Sequence, residues 1–381
     1  MRKFMKITNI KQFKPNREFK REDLHTLGEF LVGAHFDEDE VLDGQGLYVI
    51  PGLVDIHLHA AYGADFMDGD EKSWHKIARF EAEHGITSLC PTTMTMTEDE
   101  ILKACSIMNS YKPSDNEAFL HGLYLEGPFI SPNKTGAQNS EFIKKPNLEF
   151  VNKAIEASNN QVKFLGIAPE LDGAIELISA LRNKVICSIA HTACSYETAM
   201  KAIAAGVNHL THLFNAMPPF LHRAPGPIGA AVETESCFCE LISDGVHVHP
   251  SAVKAAFKLF GKDKIVLISD SMMATGLDTD KSYTLGGQEV FVSGKKATLK
   301  DGTIAGSVST LFDCLKTAIT QIGIPIEEAV ACATYTPALC AGISDKVGSL
   351  NSGCYANLLF IDKNLELQGV MLRGKMLWQN F

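Results

Sequence analysis

Residues 48–65, YVIPGLVDIHLHAAYGAD, decide how the rest of the chain is interpreted. An apolar run at residues 53–56 ends in His57 and His59, with Leu58 between them. Because alternate residues of a strand point to the same face, both imidazoles are predicted to face one point beyond the strand's carboxyl end. Two histidines placed in this way can bind one metal ion. An isolated His-x-His is equally compatible with two ordinary core or surface histidines, so the downstream sequence has to decide.

Length and composition describe an ordinary globular protein. The chain has 381 residues, 45% apolar and 21% charged, which is enough for one large α/β domain and a smaller one. A formal net charge of −10 argues against binding to a nucleic-acid backbone. It does not exclude a small anionic substrate, because a local cationic pocket can outweigh the weak global field.

The sequence also bounds the compartment. No apolar stretch reaches the roughly 18 residues of a transmembrane helix, and the first ten residues are too polar for a secretory signal. The ten cysteines form no Cys-x-x-Cys pair and no compact disulfide framework, which predicts reduced core thiols. We therefore expect a cytoplasmic protein.

From residue 53 onward, short apolar runs alternate with helical patterns. Eight candidate strands cover residues 53–57, 88–90, 119–126, 162–168, 185–191, 207–212, 237–244 and 265–270. Near-continuous apolar strands separated by helices predict a parallel sheet covered on its outer face. Eight of them within about 220 residues favour a closed (β/α)8 barrel. The competing open doubly wound sheet would carry a glycine-rich turn after its first strand, where this chain has histidines.

The two ends of the chain are predicted to be β-rich. Strand patterns occupy residues 5–13, 28–34 and 41–50 at one end, and 355–361, 369–372 and 375–378 at the other. Between the barrel strands and the last group lie a predicted hairpin at residues 283–302 and helices at 310–322 and 325–334. We expect both ends to pair into a small β-sandwich, which divides the chain into residues 1–50, a barrel at 51–345, and residues 346–381.

The residues that end the barrel strands carry the chemistry. Functional residues of a (β/α)8 barrel gather at the carboxyl ends of its strands. Besides the two histidines of the first strand, the third, fifth, sixth and eighth strands end in Glu126, His191, His212 and Asp270. Each of these has an ordinary explanation when taken singly: a surface carboxylate at a turn, a satisfied core histidine, or a turn cap. Four histidines and two carboxylates at the same ends of separate strands predict a metal site.

The motifs also resemble a known family. PGLVDIHLH resembles the amidohydrolase superfamily, and YLEGPFISP, LTHLFNAM, SDGVHVHP and DGTIAGS resemble its N-acetylglucosamine-6-phosphate deacetylase family, with a match from residue 48 to the carboxyl terminus. The resemblance implies a (β/α)8 barrel with a β-sandwich built from both chain ends. It also implies metal-dependent hydrolysis of the acetamide of N-acetylglucosamine 6-phosphate to glucosamine 6-phosphate and acetate, in amino-sugar catabolism or cell-wall recycling.

The resemblance further implies a ligand set. One ion would be held by Glu126, His191 and His212, and a second by the pair His57 and His59, which some members keep and others lack. Most of the superfamily bridges two ions with a carboxylated lysine on the fourth strand. Here that strand ends in Ala168-Pro169-Glu170, without a lysine, and Glu126 stands in its place. Zinc, iron, manganese and cobalt all accept imidazole and carboxylate ligands, so the sequence leaves open which metal is used and whether one or two ions bind.

The implied chemistry assigns Asp270 as the catalytic acid and base. A divalent ion lowers the pKa of bound water and can polarise the acetyl carbonyl. Asp270 would accept a proton from the attacking water and deliver it to the departing amine, which is a poor leaving group unless protonated. A role as ligand of a second ion is the alternative for Asp270.

By resemblance, Asn215, Ala216, Arg223 and His247 hold the sugar phosphate. The guanidinium of Arg223 suits bidentate phosphate recognition. The resemblance implies a homodimer and leaves open whether Arg223 acts in its own subunit or across the dimer interface. A solvated loop arginine is the ordinary alternative. Gln138 stands where many relatives carry histidine; glutamine can donate a hydrogen bond but carries no charge, so the grip on the sugar or its phosphate is expected to differ there.

Two other functions are weighed against the deacetylase. A cyclic amidohydrolase of the dihydropyrimidinase type is disfavoured because the bridging lysine is missing and the motif around Arg223 is present. A barrel that has lost its chemistry is disfavoured because every candidate ligand is present. The expected partner is a small-molecule substrate, with no nucleic acid and no membrane.

Overall fold

The structure of the chain is a computed structural model that describes residues 3–33 and 40–381. Positions 1, 2 and 34–39 lie outside the described residues. These positions include the end of the predicted strand at residues 28–34 and parts of the predicted domain segment at residues 1–50.

The strands follow the predicted order of a β-rich start, a long alternating middle and a β-rich end. In chain order they are β1 (Phe4–Thr8), β2 (Lys11–Phe13), β3 (Phe19–Arg21), β4 (Leu24–Leu27), β5 (Phe30–Val32), β6 (Glu40–Asp43), β7 (Tyr48–Pro51), β8 (Leu53–Leu58), β9 (Ala60–Ala61), β10 (Ala64–Asp65), β11 (Ile86–Thr93), β12 (Phe119–Leu120), β13 (Leu123–Glu126), β14 (Val162–Ile167), β15 (Ile186–Ile189), β16 (His209–Leu210), β17 (Phe238–Ile242), β18 (Ile265–Ile268), β19 (Ser282–Leu285), β20 (Gln288–Ser293), β21 (Lys296–Thr298), β22 (Leu358–Ile361), β23 (Leu367–Leu372) and β24 (Lys375–Gln379).

The helices separate the middle strands. They are α1 (Glu71–Glu83), α2 (Glu98–Ser110), α3 (Leu148–Ala157), α4 (Ala174–Leu181), α5 (Tyr196–Ala205), α6 (Gly226–Val232), α7 (Pro250–Phe260), α8 (Leu311–Thr317), α9 (Ile326–Ala333) and α10 (Tyr335–Cys340), with a 3-10 turn at Ser140–Phe142 and a π-helical segment at Ala318–Ile322. The predicted capping box is present at α2, where Thr97 and Glu100 bond each other's backbone N–H.

Eight parallel strands form a nearly closed barrel. Their order is β8, β11, β13, β14, β15, β16, β17 and β18, with β12 paired beside β11. The last strand meets the first where the backbone N–H of Asp270 donates to the carbonyl of His57 at 3.0 Å. The predicted (β/α)8 fold is confirmed. One difference is that the predicted third strand is split into β12 and β13, because the chain turns at Gly122, whose φ is +129°.

The base of the barrel is apolar and its upper end is polar. Residues near the strand starts, among them Val54, Tyr124, Phe164 and Val266, form one buried cluster together with Ala338 of α10. The polar and charged residues lie above this cluster, toward the carboxyl ends of the strands. This division leaves the chemistry at one end and packing at the other, as expected for the fold.

The two chain ends form the small sheet domain. One sheet has the order β5-β4-β1-β6, and the other has the order β24-β23-β22-β7-β2-β3. The second sheet joins strands from both ends of the chain, since β22 pairs antiparallel with β7. The sandwich predicted from the two ends is thus present. The domain boundaries proposed after residues 50 and 345 stay predictions.

A three-stranded antiparallel insertion covers the mouth of the barrel. The predicted hairpin region contains β19, β20 and β21, with its first turn at Gly286-Gly287. Leu285 packs with Met94 and Met272 at the barrel rim. The side-chain amide of Gln288 donates to the carbonyl of Ala137 at 2.6 Å, which ties the insertion to the loop after β13. Across the described chain, no helix combines the length and apolar character needed to span a membrane.

Candidate active site

Three of the candidate residues sit in a left-handed backbone conformation just beyond a strand. His191, His212 and Asp270 follow β15, β16 and β18, and their φ angles are 42°, 27° and 51°. Non-glycine residues rarely adopt such angles, and they are stable there only when the surrounding structure holds them. Backbone strain at the ends of three separate strands indicates that this rim is the functional end of the barrel.

Glu126 is the last residue of β13, and the glycine after it is required. Gly127 has a φ of +94°, and a Cβ at this position would lie 2.1 Å from Oγ1 of Thr95. Thr95 Oγ1 also donates to the carbonyl of Glu126 at 3.2 Å. The chain can therefore turn away directly after Glu126 while its carboxylate stays in the barrel.

Two histidines and Glu126 form the first candidate metal group. Oε1 of Glu126 lies 3.0 Å from Nε2 of His212 and 3.2 Å from Nε2 of His191. The two imidazole nitrogens are 3.2 Å apart, and all three side chains are buried. This is the set that the sequence predicted for one ion.

The second candidate metal group consists of His57, His59 and Asp270. Oδ1 of Asp270 lies 3.3 Å from Nε2 of His59 and 3.6 Å from Nε2 of His57. Oε2 of Glu126 is 3.2 Å from Nε2 of His59. The carboxylate of Glu126 thus faces both groups, since Oε1, which contacts the first group, also lies 3.5 Å from Nε2 of His57.

The far side of each ring supports metal binding. Nδ1 of His57 lies 2.9 Å from Oε2 of Glu240, Nδ1 of His59 lies 3.3 Å from the carbonyl of Thr92, and Nδ1 of His191 lies 2.9 Å from the carbonyl of Lys134. An acceptor at Nδ1 fixes the proton there and leaves the Nε2 lone pair facing the centre. Within the described chain, Nε2 of His57 is buried without a hydrogen-bond partner. The donor set therefore fits a divalent ion.

The electrostatics of the cluster favour a positive charge. Burial alone would lower the pKa of His57, but the carboxylates of Glu240 and Glu126 outweigh it and raise this pKa to about 9. Burial would raise the pKa of Glu126, yet His57 and His191 hold it well below its ordinary value. The carboxylates strongly favour positive charge at these imidazoles, and a cation bound between them would balance the negative charge.

The candidate groups open into a cavity of about 80 Å³ under the three-stranded insertion. Its lining combines metal-group residues, predicted substrate residues and apolar contacts from the loops. These are His59, Met94, Glu126, Gly136, Ala137, Gln138, His191, His212, Asn215, Ala216, His247, Asp270, Leu285, Ile304 and Gly306. Every candidate site residue except His57 and Arg223 lines this cavity; His57 lies buried beneath it.

Gln138 is bound to the metal group itself. Its Nε2 donates to Oε2 of Glu126 at 2.5 Å, and its Oε1 accepts from the backbone N–H of Thr95 at 2.6 Å. These two bonds fix which end of the amide faces the carboxylate. The uncharged amide of Gln138 therefore fixes the orientation of the Glu126 carboxylate at the edge of the cavity.

His247 is held by a carboxylate that the sequence analysis did not single out. Nδ1 of His247 lies 2.7 Å from Oδ2 of Asp244, and the other carboxylate oxygen accepts from the backbone N–H of Val246 and His247. Burial would raise the pKa of Asp244, but His247 and these N–H groups lower it. The ring is thereby fixed with its free edge toward the cavity.

The structure does not bring Arg223 into the cavity of its own chain. Arg223 is exposed in the loop before α6, next to Leu221 and near Phe220, which are 51% and 46% exposed. His249 and His222 also lie away from the cavity. His249 caps α7, where its Nδ1 accepts from the N–H of Ser251 at 3.2 Å, and His222 is exposed.

Sequence reasoning missed Glu240. This residue lies inside β17, in the run Cys-Phe-Cys-Glu-Leu-Ile, and it is fully buried. The signal available was a charged residue within an otherwise apolar barrel strand, which requires a partner. Its partner, His57, lies 183 positions earlier in the chain, so spacing could not identify it.

Comparison with known proteins agrees with this geometry. Residues 48–377 match the amidohydrolase family. The chain belongs to the amidohydrolase family. N-acetylglucosamine-6-phosphate deacetylase of Bacillus subtilis (strain 168) is 36% identical over 333 residues, which are 86% of this chain and 84% of that protein. The resemblance predicted from the motifs is confirmed.

Solved structures of amidohydrolases extend the similarity to the whole chain. The crystal structure of N-acetylglucosamine-6-phosphate deacetylase from Pasteurella multocida has a TM-score of 0.92, with 26% identity over 98% of this chain and 99% of that one. An aspartate-to-alanine mutant of the deacetylase from Mycobacterium smegmatis, solved in complex with N-acetyl-D-glucosamine-6-phosphate, has a TM-score of 0.89, with 29% identity over 99% of both chains.

Proposed function

We propose that this amidohydrolase removes the acetyl group of N-acetylglucosamine 6-phosphate by metal-dependent hydrolysis, giving glucosamine 6-phosphate and acetate. The observation that carries the proposal is the position of Glu126 between two His/carboxylate groups at the carboxyl end of the barrel. Relatives with this name match most of the chain. The activity belongs to amino-sugar catabolism or cell-wall recycling.

The metal ligands in this proposal are Glu126, His191 and His212 for one ion and His57, His59 and Asp270 for another. A divalent ion held by these residues would lower the pKa of bound water, so that hydroxide forms near neutral pH, and would polarise the acetyl carbonyl. Imidazole and carboxylate ligands suit zinc, iron, manganese or cobalt. The carboxylate of Glu126 contacts both groups, and the hydrogen bond from Gln138 fixes its orientation.

Asp270 moves the proton in this scheme. Its carboxylate is at the cavity wall, and burial, which would raise its pKa, is outweighed by His59 and His57, which lower it. An ionised Asp270 can take the proton of the attacking water as the carbon–oxygen bond forms. The same proton then passes to the nitrogen as the carbon–nitrogen bond breaks, so that the amine departs neutral.

The sugar phosphate is assigned to the other side of the cavity. Asn215 and Ala216 follow closely after the metal-group residue His212, and all of them line the cavity together with His247. We propose that Arg223 of a second copy completes the phosphate site in a homodimer. The exposed Leu221 and Phe220 beside Arg223 support an interface at this loop, since exposed large apolar side chains are frequent at contacts between subunits.

We propose a cytoplasmic location, and the unpaired cysteines support it. All ten cysteines are free and buried. Burial raises the pKa of Cys187 to about 12, which keeps that thiol protonated and unreactive. Chains with unpaired buried cysteines are typical of reducing compartments.

The decisive experiment is an acetate-release assay. The purified protein is given N-acetylglucosamine 6-phosphate, the unphosphorylated sugar and a hydantoin, before and after removal of metal with a chelator. We expect acetate from the phosphorylated sugar, loss of this activity on chelation and recovery on adding a divalent ion. Turnover of the hydantoin alone would instead identify a cyclic amidohydrolase of the dihydropyrimidinase type. No turnover with fully metal-loaded protein would identify an inactive scaffold.

A further inference from the structure

Glu240 is a buried carboxylate to which the proposed reaction gives no task. It lies in the middle of β17 with its side chain 0% exposed. A charge inside a barrel is costly unless it is paired and hydrogen-bonded. The groups that contact the carboxylate of Glu240 therefore indicate its role.

One oxygen of Glu240 contacts both metal groups. Oε2 lies 2.9 Å from Nδ1 of His57 and accepts from the backbone N–H of His212 at 3.0 Å. His57 belongs to the group with His59 and Asp270, whereas His212 belongs to the group with Glu126. A single carboxylate oxygen thus lies directly behind one ligand of each group.

The other oxygen of Glu240, Oε1, has no hydrogen-bond partner in the described chain and faces a buried histidine, whose Nε2 also lacks one. Oε1 lies 3.5 Å from Nε2 of His209, whose Nδ1 lies 2.9 Å from Oγ of Ser188. That hydroxyl lies 2.6 Å from Oγ1 of Thr211, which in turn lies 2.5 Å from the hydroxyl of Tyr124. These bonds fix His209 opposite Oε1, whereas the carboxylate of Glu240 itself is positioned by the two contacts of Oε2, with His57 and with the N–H of His212.

Of the histidines in the metal groups, His57 depends most on a side chain. Nδ1 of His59 and of His191 faces a backbone carbonyl, which a substitution of the neighbouring side chain does not remove. Nδ1 of His212 is without a hydrogen-bond partner in the described part of the chain. Among these histidines, and within the described chain, only the ring of His57 has its Nδ1 facing an ionisable side chain, and only its Nε2 is buried without a hydrogen bond.

We propose that Glu240 is a positioning residue for the cation held by His57, His59 and Asp270. It binds the Nδ1 proton of His57, aims Nε2 at that cation and makes the ring a stronger donor. The proposal rests on the metal-dependent function proposed above. Carboxylates behind a metal-bound histidine change metal affinity by about 10- to 100-fold, so Glu240 is expected to govern the second ion far more than the first.

The test measures metal content in Glu240→Gln and Glu240→Leu. Each protein is stripped of metal, dialysed against a series of Co²⁺ concentrations and assayed for ions per chain, with the visible absorption of Co²⁺ as a second readout. Glutamine keeps the accepting oxygen but removes the charge, so we expect the second ion to bind about 10- to 100-fold more weakly. Leucine removes both, and we expect one ion per chain where the wild type holds two.

The matched control is Glu81→Gln in α1. Glu81 is also fully buried, and neither of its carboxylate oxygens has a hydrogen-bond partner in the described structure. This variant should keep both ions with the affinity of the wild type. Excess Co²⁺ should restore acetate release to Glu240→Gln, because the defect is occupancy and not loss of the fold. The isosteric glutamine variant carries the test alone if the leucine variant does not fold.

Two results would overturn the assignment of Glu240. One is wild-type affinity for two ions in both Glu240 variants; the other is a wild type that takes up a single ion at saturation. Acetate release by the wild type decides the proposed function separately. A protein that loses its second ion on Glu240→Gln but never releases acetate would keep the positioning role and reject the deacetylase.

Discussion

Proton transfer in the proposed reaction depends on one side chain at the rim of the barrel. Asp270 lies just past β18, is buried, and has its carboxylate 3.3 Å from His59. Its positive φ shows that the backbone is bent to hold the side chain there. The same carboxylate could also serve as a ligand, so a substitution has to separate the two roles.

Asp270→Asn should separate metal binding from turnover. The amide has nearly the same shape but cannot take up a proton, so we expect kcat to fall by about 10²- to 10⁴-fold. The ion at Glu126, His191 and His212 should remain, measured as at least one ion per chain. Asp278→Asn, an exposed position in the loop after the same strand, is the control. Near-normal kcat in Asp270→Asn would remove Asp270 from proton transfer.

A second residue-scale prediction concerns acid stability. Burial, helped by Lys163, lowers the pKa of His121 to about 4, and Nε2 of His121 lies 3.0 Å from Oγ of Ser88. The unfolded chain takes up a proton near pH 6.5, whereas the folded protein does not until about pH 4. The contribution of His121 to stability is therefore complete above pH 6.5 and is lost as the pH falls between these values.

Replacing His121 with glutamine should remove this dependence. We expect the melting temperature of the wild type to drop relative to that of His121→Gln as the pH falls from about 6.5 to 4, with no change in their difference above pH 7. Calorimetry on both proteins with the same metal content measures it. A temperature difference that stays constant across the whole range would show that His121 titrates normally in the fold.

At the scale of elements, the carboxyl end of β13 positions the central ligand. The strand ends at Glu126, the chain turns at Gly127, and the following loop returns Gln138 to the same carboxylate. The strand directs Glu126 toward the cavity, and the loop fixes the orientation of its carboxylate through Gln138. A turn that could not form at Gly127 would displace Glu126 from both metal groups together.

Gly127→Ala should therefore cost more than backbone strain. Any residue with a Cβ pays roughly 1–2 kcal/mol for a left-handed φ, and here the methyl group would also meet Thr95. Gly46→Ala is the matched control, because Gly46 has a φ of +82° and nothing within 4 Å of the added atom. We expect metal loss in Gly127→Ala alone, measured as ions per chain. Full metal content in that variant would contradict the role given to this turn.

For the whole molecule, the question is whether one chain makes a complete site. The cavity holds the reacting groups and His247, but Arg223 does not line it and is exposed in the same loop as the exposed Phe220 and Leu221. A phosphate site that needs a guanidinium must then obtain it from another copy. A symmetric dimer would supply one Arg223 to each partner's cavity.

Mixing two variants that are each impaired at a substrate concentration well below the KM of Arg223→Ala tests this arrangement. Arg223→Ala should raise KM for the phosphorylated sugar, with little effect on the unphosphorylated one. When Arg223→Ala and Asp270→Asn chains are unfolded and refolded together, half of the dimers carry one intact site, which restores about a quarter of the wild-type activity under random pairing. No recovery in the mixture, with recovery in a wild-type mixture treated identically, would assign Arg223 to its own chain.

The elements of the fold were predictable from the sequence to different extents. The eight strands and the residues at their carboxyl ends were predictable, because buried parallel strands have a local apolar pattern and the barrel brings their ends to one rim. The β-rich ends were predictable for the same reason. The short extent of β16 within the strand predicted at residues 207–212, and the helices α3, α6 and α10, were not, because turns and packing end or begin those elements where the apolar pattern gives no signal.

By itself, the sequence determined the fold class, the family and the set of candidate ligands, since each depends on residue types at local spacings. Only the tertiary structure decided that Glu126 faces both groups, that Gln138 holds Glu126, that Glu240 lies behind His57, and that Arg223 is outside the cavity of its own chain. Those relations depend on strand register and on turns that join residues far apart in the chain, and neither is encoded in the spacing of residues along it.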